Sequence, residues 1–320
     1  MKRAANEGGI AVKHVTVSDF TIPRVVMGCM HLAELDRKSA CDLIETAFAN
    51  SMNFFDHADV YGGGTCESLF ADAIEALGVK REKMILQSKC GIVKRNDGSA
   101  YYDFSGSHIV KSVEESLKRL RTDYLDILLL HRPDTLLVPD EIAEAFDTLH
   151  TKGMVRFFGV SNCNPTQMEL IQSAVTHKLL FNQLQFSLGH PIMAGTGLAV
   201  NMTLDQSTER SGGILEYCRL KGIAIQAWSP LQRGFFDGPY LGDRDHYAEL
   251  NGVIERLAHE YAVSPTAIAI AWILRHPGIQ QAITGTMNRQ RFLDCAAGAD
   301  IDLSRDEWYA LFTAAGGMIP

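Results

Sequence analysis

Phe54-Phe55-Asp56-His57-Ala58-Asp59-Val60-Tyr61-Gly62 is the stretch on which the reading turns. The run 52–55 reads as a buried strand that ends in Asp56. Tyr61 and the glycines at 62–64 then belong to a loop carrying an acid and a phenol. Taken alone, the stretch reads equally well as a surface turn rich in Asp, His and Gly. Two later strands decide between the readings. Residues 84–88 run into Lys89, and 125–130 run into His131. Asp56, Tyr61, Lys89 and His131 thus come from the carboxyl ends of three consecutive strands, and in a parallel barrel those ends face one pocket.

The rest of the chain repeats the strand-then-helix pattern. Residues 10–22 alternate and turn at Ser18-Asp19, as a hairpin ahead of the main fold. Val25 to Gly28 follows as a strand, then a helix capped by Asp36. Strands at 52–56, 83–89, 124–131 and 155–160 precede helices near 66–77, 107–121, 139–152 and 165–175. A sixth strand at 181–186 and a seventh at 223–228 flank a helix near 211–221. Helices near 247–262 and 264–276, a strand at 279–284 and a helix near 288–297 come next. A last helix, 304–315, starts at Ser304 with Glu307 in the capping-box position.

Eight such units without a Pro/Ser-rich linker predict an α/β fold: one (β/α)8 TIM barrel domain over 1–320, with an N-terminal β-hairpin. An open doubly wound sheet is disfavoured, because no Gly-x-Gly-x-x-Gly follows a strand. Two long loops, 187–208 and 231–247, are expected over the mouth of the barrel. The second carries Phe235, Phe236, Tyr240 and Tyr247, which suit either an apolar substrate wall or ordinary loop packing.

Composition narrows the function classes. The 320 residues are 46% hydrophobic and 21% charged, as in a soluble globular protein. A net charge of −8, with no Lys/Arg block, argues against nucleic-acid and membrane-surface partners. The N-terminus lacks an apolar signal-peptide core, and the longest apolar run, 267–274, falls well short of the about 20 residues a bilayer needs. Seven cysteines are scattered without a Cys-x-x-Cys, which reads as reduced thiols in a cytoplasmic protein and not as a metal or disulfide framework. Cys90 and Cys163 read as packing residues.

Brought together, the four strand-end residues fit one chemistry. A nearby ammonium lowers a phenol pKa, so Lys89 is expected to tune Tyr61, with Asp56 keeping Lys89 charged. His131 can donate to a carbonyl oxygen and orient it. The set suits protonation of an alkoxide forming from a carbonyl. It holds no nucleophile and no metal-ligand pattern, so a hydride must come from a cofactor.

These residues carry a resemblance. Residues 56–62 resemble the Asp-x-Ala-x-x-Tyr-Gly motif of the aldo-keto reductases, and the little sequence after the last helix is similar to bacterial-type members with a short C-terminal tail. Residues 107–120, with Asp126 and Leu130-His131-Arg132-Pro133-Asp134, are similar to the family's longest signature. Gly159-Val160-Ser161-Asn162, Asn182-Gln183 and Ala227-Trp228-Ser229-Pro230-Leu231 match three more, in the right order.

The resemblance implies NADPH-dependent reduction of an aldehyde or ketone, with Tyr61 as acid, Lys89 and Asp56 as its tuners and His131 orienting the carbonyl. It also implies a cofactor site. Ser161, Asn162 and Gln183 would hold the carboxamide, Trp228 the nicotinamide ring, and Ser229, Leu231 and Arg233 the pyrophosphate. Met30 is a further expected contact. Gly285, Thr286 and Arg291 align with the segment that holds the 2′-phosphate of NADP, and Asp294 with the adenine contact. Departures lie at Gly285, where many members have Lys, at His57 for Thr or Ser, and at Cys295 for Asn. The alternative is an NADP(H)-binding regulatory subunit of a larger complex, since the family includes channel-associated β subunits. Substrate, direction and oligomeric state are not legible.

Overall fold

Strand Phe54–Asp56 (β4) has all three residues buried, and it pairs in parallel on both sides. The structure is a computed structural model that describes residues 12–320 except 19 and 236. Ile10, Ala11 and Asp19 of the expected hairpin, and Phe236 of the second long loop, therefore lie outside the described residues. The hairpin itself is present as His14–Val17 (β1) paired antiparallel with Phe20–Pro23 (β2).

The main sheet adds Val25–Gly28 (β3), Ile85–Cys90 (β5), Leu125–Leu130, Val155–Ser161, Leu179–Gln185, Ala224–Trp228 and Ile279–Thr284. Between β5 and the next barrel strand sits a small antiparallel pair, Ile92–Lys94 (β6) and Ala100–Tyr102 (β7). The remaining barrel strands are accordingly β8 to β12. Hydrogen bonding runs β10-β11-β12-β3-β4-β5-β8-β9 and closes on itself. The expected eight-stranded α/β barrel is the fold, with helices between strands as the sequence pattern requires.

Helix starts follow side-chain chemistry. Arg37–Ala49 (α1) is capped by Asp36, whose carboxylate accepts from Ser39 N at 2.8 Å. Thr65–Leu77 (α2) begins at Gly64, and Gly106–Leu120 (α3) is capped by Ser105. Pro139–Thr151 (α4) and Pro165–Gln172 (α5) each open on a proline, whose missing N–H costs nothing in the first turn. A helix inside the first long loop, Ile192–Leu198 (α6), was not expected; its small residues at 194–197 give little periodic signal. Ile214–Lys221 (α7), Ala248–Tyr261 (α8), Pro265–Arg275 (α9) and Arg289–Gly298 (α10) precede Arg305–Ala314 (α11). The last opens on the expected Ser304–Glu307 capping box. Among the described residues no single helix is long and apolar enough to cross a membrane.

The chain divides into two compact units. One holds Val26–Gln183 with Gly285–Met287. The amino ends of its strands are held by Asp126, which accepts from Arg81 Nη2 at 2.6 Å, Arg156 Nη1 at 3.1 Å and the Leu86 N–H at 2.9 Å. Both guanidinium groups also lie over the Tyr124 ring, at 3.8 and 4.0 Å. The other unit takes the described residues up to Val25 with Leu184–Thr284 and Asn288–Pro320. Its core is an aromatic stack: Trp272 and Trp308 lie 5.0 Å apart, and each indole N–H donates to the other residue's carbonyl, at 3.1 and 3.0 Å. The long loop after β11 packs on itself here. Tyr240 is buried with its hydroxyl on the Pro230 carbonyl, whereas Phe235 stays exposed.

Asp126→Ala strips a buried carboxylate from Arg81 and from a buried N–H. It should cost about 3–5 kcal/mol, read by denaturant unfolding. Arg156→Ala removes the half-exposed partner and should cost less than about 1 kcal/mol, once solvent screening is allowed for.

Candidate active site

Strand alternation places the site. In β5 the side chains of Gln87 and Lys89 share one face, and strand pairing sets Asp56 beside Gln87. Lys89 is wholly buried, and the three N–H donors of its ammonium meet three acceptors. It donates to Asp56 Oδ2 at 2.7 Å, to the His57 carbonyl at 2.8 Å and to Tyr61 Oη at 3.1 Å. The other Asp56 oxygen accepts from Gln87 Nε2 at 2.6 Å and Gln183 Nε2 at 3.1 Å. All three N–H directions of the ammonium and both oxygens of the carboxylate are thereby engaged.

Tyr61 reaches Lys89 because the chain turns tightly after β4. The Asp59 N–H donates to the Lys89 carbonyl at 3.0 Å, and the Tyr61 N–H to the Ala58 carbonyl at 3.0 Å. Glycines 62, 63 and 64 all have positive φ, which side chains strain to adopt. Gly64 has a second reason to lack Cβ, since one would lie 2.7 Å from Arg119 Cδ.

Electrostatics corrects one expectation. Burial pushes the Tyr61 phenol upward; Lys89 pulls it down, but the net shift is up. The expected lowering by Lys89 therefore loses to desolvation. The phenol keeps its proton at neutral pH, and because Lys89 donates to its oxygen, that proton is directed elsewhere. Burial likewise opposes charge on Lys89, yet the nearby Asp56, with Tyr61, more than offsets it and leaves the ammonium above its ordinary value. His131 follows β8 and stands edge-on to Tyr61, with ring centroids 5.9 Å apart. Burial first, then Lys89 and Arg132, holds its imidazole well below the usual range and so neutral. Its Nδ1 is enclosed without a partner, which favours the tautomer carrying hydrogen on Nε2.

Ser161 and Asn162 close β9. Ser161 Oγ donates to the Gln183 carbonyl at 2.9 Å, and Asn162 Nδ2 donates to Ser161 Oγ at 2.7 Å. Asn162 sits at φ 58°, unusual outside glycine and frequent at functional strand ends. Gln183, expected on the carboxamide, spends an N–H on Asp56. Met30 lies just beyond β3, its carbonyl accepting from Cys66 Sγ at 3.4 Å. These residues, with Asp56, Tyr61, Lys89 and His131, belong to one compact unit.

Trp228, Ser229, Leu231, Arg233, Arg291 and Asp294 belong to the other. Trp228 ends β11, edge-on to Phe235, and Ser229 after it turns to φ 49°. Arg233 is engaged by its own loop, donating to Asp243 Oδ2 at 2.9 Å and to the Asp237 carbonyl at 2.9 Å. Arg289 and Arg291 are exposed in the first turn of α10, and Asp294 accepts from Gln290. Gly285 follows β12, where an added Cβ would meet only His31 Cδ2, at 3.7 Å, so space does not demand glycine. No disulfide joins any of the seven cysteines, and burial pushes Cys163 up to about 12. Among the described residues no group of His, Cys, Asp and Glu could hold a metal ion.

Sequence reasoning missed Gln87 as the second amide on Asp56. Its signal was a polar residue two before Lys89, on the same face of the strand. Ultraviolet titration of the wild type minus Tyr61→Phe should show no Tyr61 ionisation below the ordinary phenol value of about 10. A Tyr61 phenolate at neutral pH would mean that Lys89 outweighs burial.

Three comparisons fit this geometry. The aldo/keto reductase family model matches residues 24–314. An uncharacterised oxidoreductase of Bacillus subtilis, YcsN, is 36% identical over 93% of this chain and 96% of its own length. A 6-dehydroglucose reductase of Agrobacterium fabrum is 33% identical over 96% of this chain and 99% of its own. The fold also matches the crystal structure of a thermostable aldo-keto reductase, Tm1743, with a TM-score of 0.75 at 23% identity, covering 95% of this chain and 100% of that one. On the extent of the family match and of these full-length alignments, the chain belongs to the aldo/keto reductase family of oxidoreductases.

Proposed function

We propose that this protein reduces an aldehyde or ketone to an alcohol with NADPH as cofactor. The observation that carries the reading is the buried chain Asp56–Lys89–Tyr61, with contacts of 2.7 and 3.1 Å. It holds a protonated phenol against a permanent positive charge, away from water. When bound, the cofactor supplies the hydride that the side chains cannot.

The chain's own residues do the rest. His131 Nε2–H orients the carbonyl oxygen, and Tyr61 delivers its proton as negative charge develops there. Lys89 stabilises the phenolate left behind, and Asp56, held by Gln87 and Gln183, keeps Lys89 charged through the cycle. Ser161, Asn162 and Gln183 would take the carboxamide, with Met30, Trp228, Ser229, Leu231 and Arg233 along the remaining length. Non-glycine residues in left-handed backbone directly after β9 and β11 support binding at those strand ends. The start of α10, with exposed Arg289 and Arg291, suits a phosphate, and with Thr286 it favours NADP over NAD. Gly285 and Asp294 complete the proposed adenosine end.

The substrate is a small carbonyl compound, and the relative's name puts 6-dehydroglucose first on the panel. The absence of disulfides among the seven cysteines suits a cytoplasmic enzyme, and we read the chain as one barrel domain.

Tyr61→Phe should lower kcat by about 100-fold or more while leaving NADPH affinity nearly intact. Undiminished turnover would remove Tyr61 from the mechanism. Tryptophan quenching should be tight with NADPH and weak with NADH, and Arg291→Ala should narrow the difference. Preference for NADH would overturn the NADP assignment.

A further inference from the structure

Behind the Tyr61 turn lies a buried polar cluster that the proposed reaction does not touch. In β5 the side chains of Gln87 and Lys89 share one face, so Ser88 between them points the other way. There its Oγ donates to Glu67 Oε1 at 2.8 Å. Glu67 lies in the first turn of α2 and is wholly buried. Its other oxygen, Oε2, accepts from Arg119 Nε of α3 at 2.7 Å. Arg119 also donates to Ser116 Oγ at 3.0 Å, and its Cδ lies 2.7 Å from where a Cβ on Gly64 would stand.

These contacts close a ring. From Tyr61 the chain runs through Gly62, Gly63 and Gly64 into α2 and so to Glu67. Glu67 holds Ser88, Ser88 is bonded to Lys89, and Lys89 Nζ returns to Tyr61 Oη at 3.1 Å. Arg119 supports the ring from outside, at the glycine where the Tyr61 turn becomes helix. A buried ion pair contributes little net stability, because desolvation offsets its attraction, and an apolar pair of similar volume would pack as well. What an apolar pair lacks is direction. Hydrogen bonds on both carboxylate oxygens fix α2 against β5 in distance and angle, and a misplacement of about 1 Å at reacting groups costs about 100-fold in rate.

We infer that Glu67 is a positioning residue: by tying Ser88 to Arg119 it sets the spacing between the strand that carries Lys89 and the turn that carries Tyr61. The inference rests on Tyr61 being the acid of the proposed reaction. Glu67 acts only through the two stretches of backbone it joins, so its loss slows proton delivery and leaves cofactor binding alone.

The test compares wild type with two variants that open the ring. Ser88→Ala removes one hydrogen bond, and Glu67→Gln removes the charge that pairs with Arg119. Asp126→Ala, at the other end of the strands, is the control for lost stability alone. With NADPH and a turned-over carbonyl, both ring variants should lose about 10- to 100-fold in kcat, with KM and NADPH affinity nearly unchanged. Their solvent deuterium isotope effect on kcat should rise, because proton delivery from Tyr61 becomes the slow step. Ser88→Thr, which restores the hydroxyl, should recover most of the rate. Asp126→Ala should lower Tm without raising the isotope effect. Should Glu67→Gln fail to fold, Ser88→Ala decides. A wild-type kcat in Ser88→Ala, or a fall with the isotope effect unmoved, overturns the inference and leaves the proposed reaction standing. If wild type turns over no carbonyl, the proposed reaction fails. The spacing is then read from the carbon-13 resonance of the Lys89 ε carbon, since the ammonium lies 4.8 Å from the Tyr61 ring centroid. That resonance should move in Ser88→Ala and not in Asp126→Ala; no movement, or equal movement in both, overturns the inference.

Discussion

A buried ammonium is the constraint on which the rest of the site depends. Lys89 has no access to water, so its charge survives only if protein groups replace the solvent on all three N–H directions. Each partner comes from a different local device. Asp56 ends a strand, the His57 carbonyl belongs to the turn that follows, and Tyr61 arrives through a helical turn that glycines 62–64 make possible. Remove any one and the others lose their reason for their positions. The amides of Gln87 and Gln183 extend the same logic outward, because a carboxylate that neutralises a buried lysine must itself be satisfied.

The same burial divides labour between the titrating groups. It raises Tyr61, so the phenol stays a donor. It depresses His131, so the imidazole offers a hydrogen bond without adding positive charge beside Lys89. One dry environment thus yields a neutral phenol, a neutral imidazole and a single fixed cation, a combination suited to the proposed reaction, in which charge appears only at the transition state.

Much of this was legible in the sequence because strand ends announce themselves: an apolar run followed by Asp56, Lys89 or His131 names both the element and the residue that leaves it. The order of eight such runs implies the closed barrel, and Ser304 with Glu307 marks a helix start that the structure contains. What was not legible depends on distance. The balance between burial and Lys89 at Tyr61 needs coordinates, and so does the ion pair of Glu67 with Arg119, whose residues are far apart in the chain. The β6–β7 pair was missed because its short strands are largely exposed and carry no core alternation. The α6 turn was missed because small residues within a long loop leave no apolar stripe.

The account is tested most directly by the charge on Lys89. Carbon-13 NMR of lysine labelled at the ε position, with Lys89 assigned by its loss in Lys89→Met, follows that one ammonium through pH. The account predicts a Lys89 that remains protonated beyond the ordinary lysine value of about 10.4. A Lys89 that releases its proton near neutral pH would contradict it, since a neutral amine could neither hold Tyr61 by charge nor stabilise the phenolate it leaves.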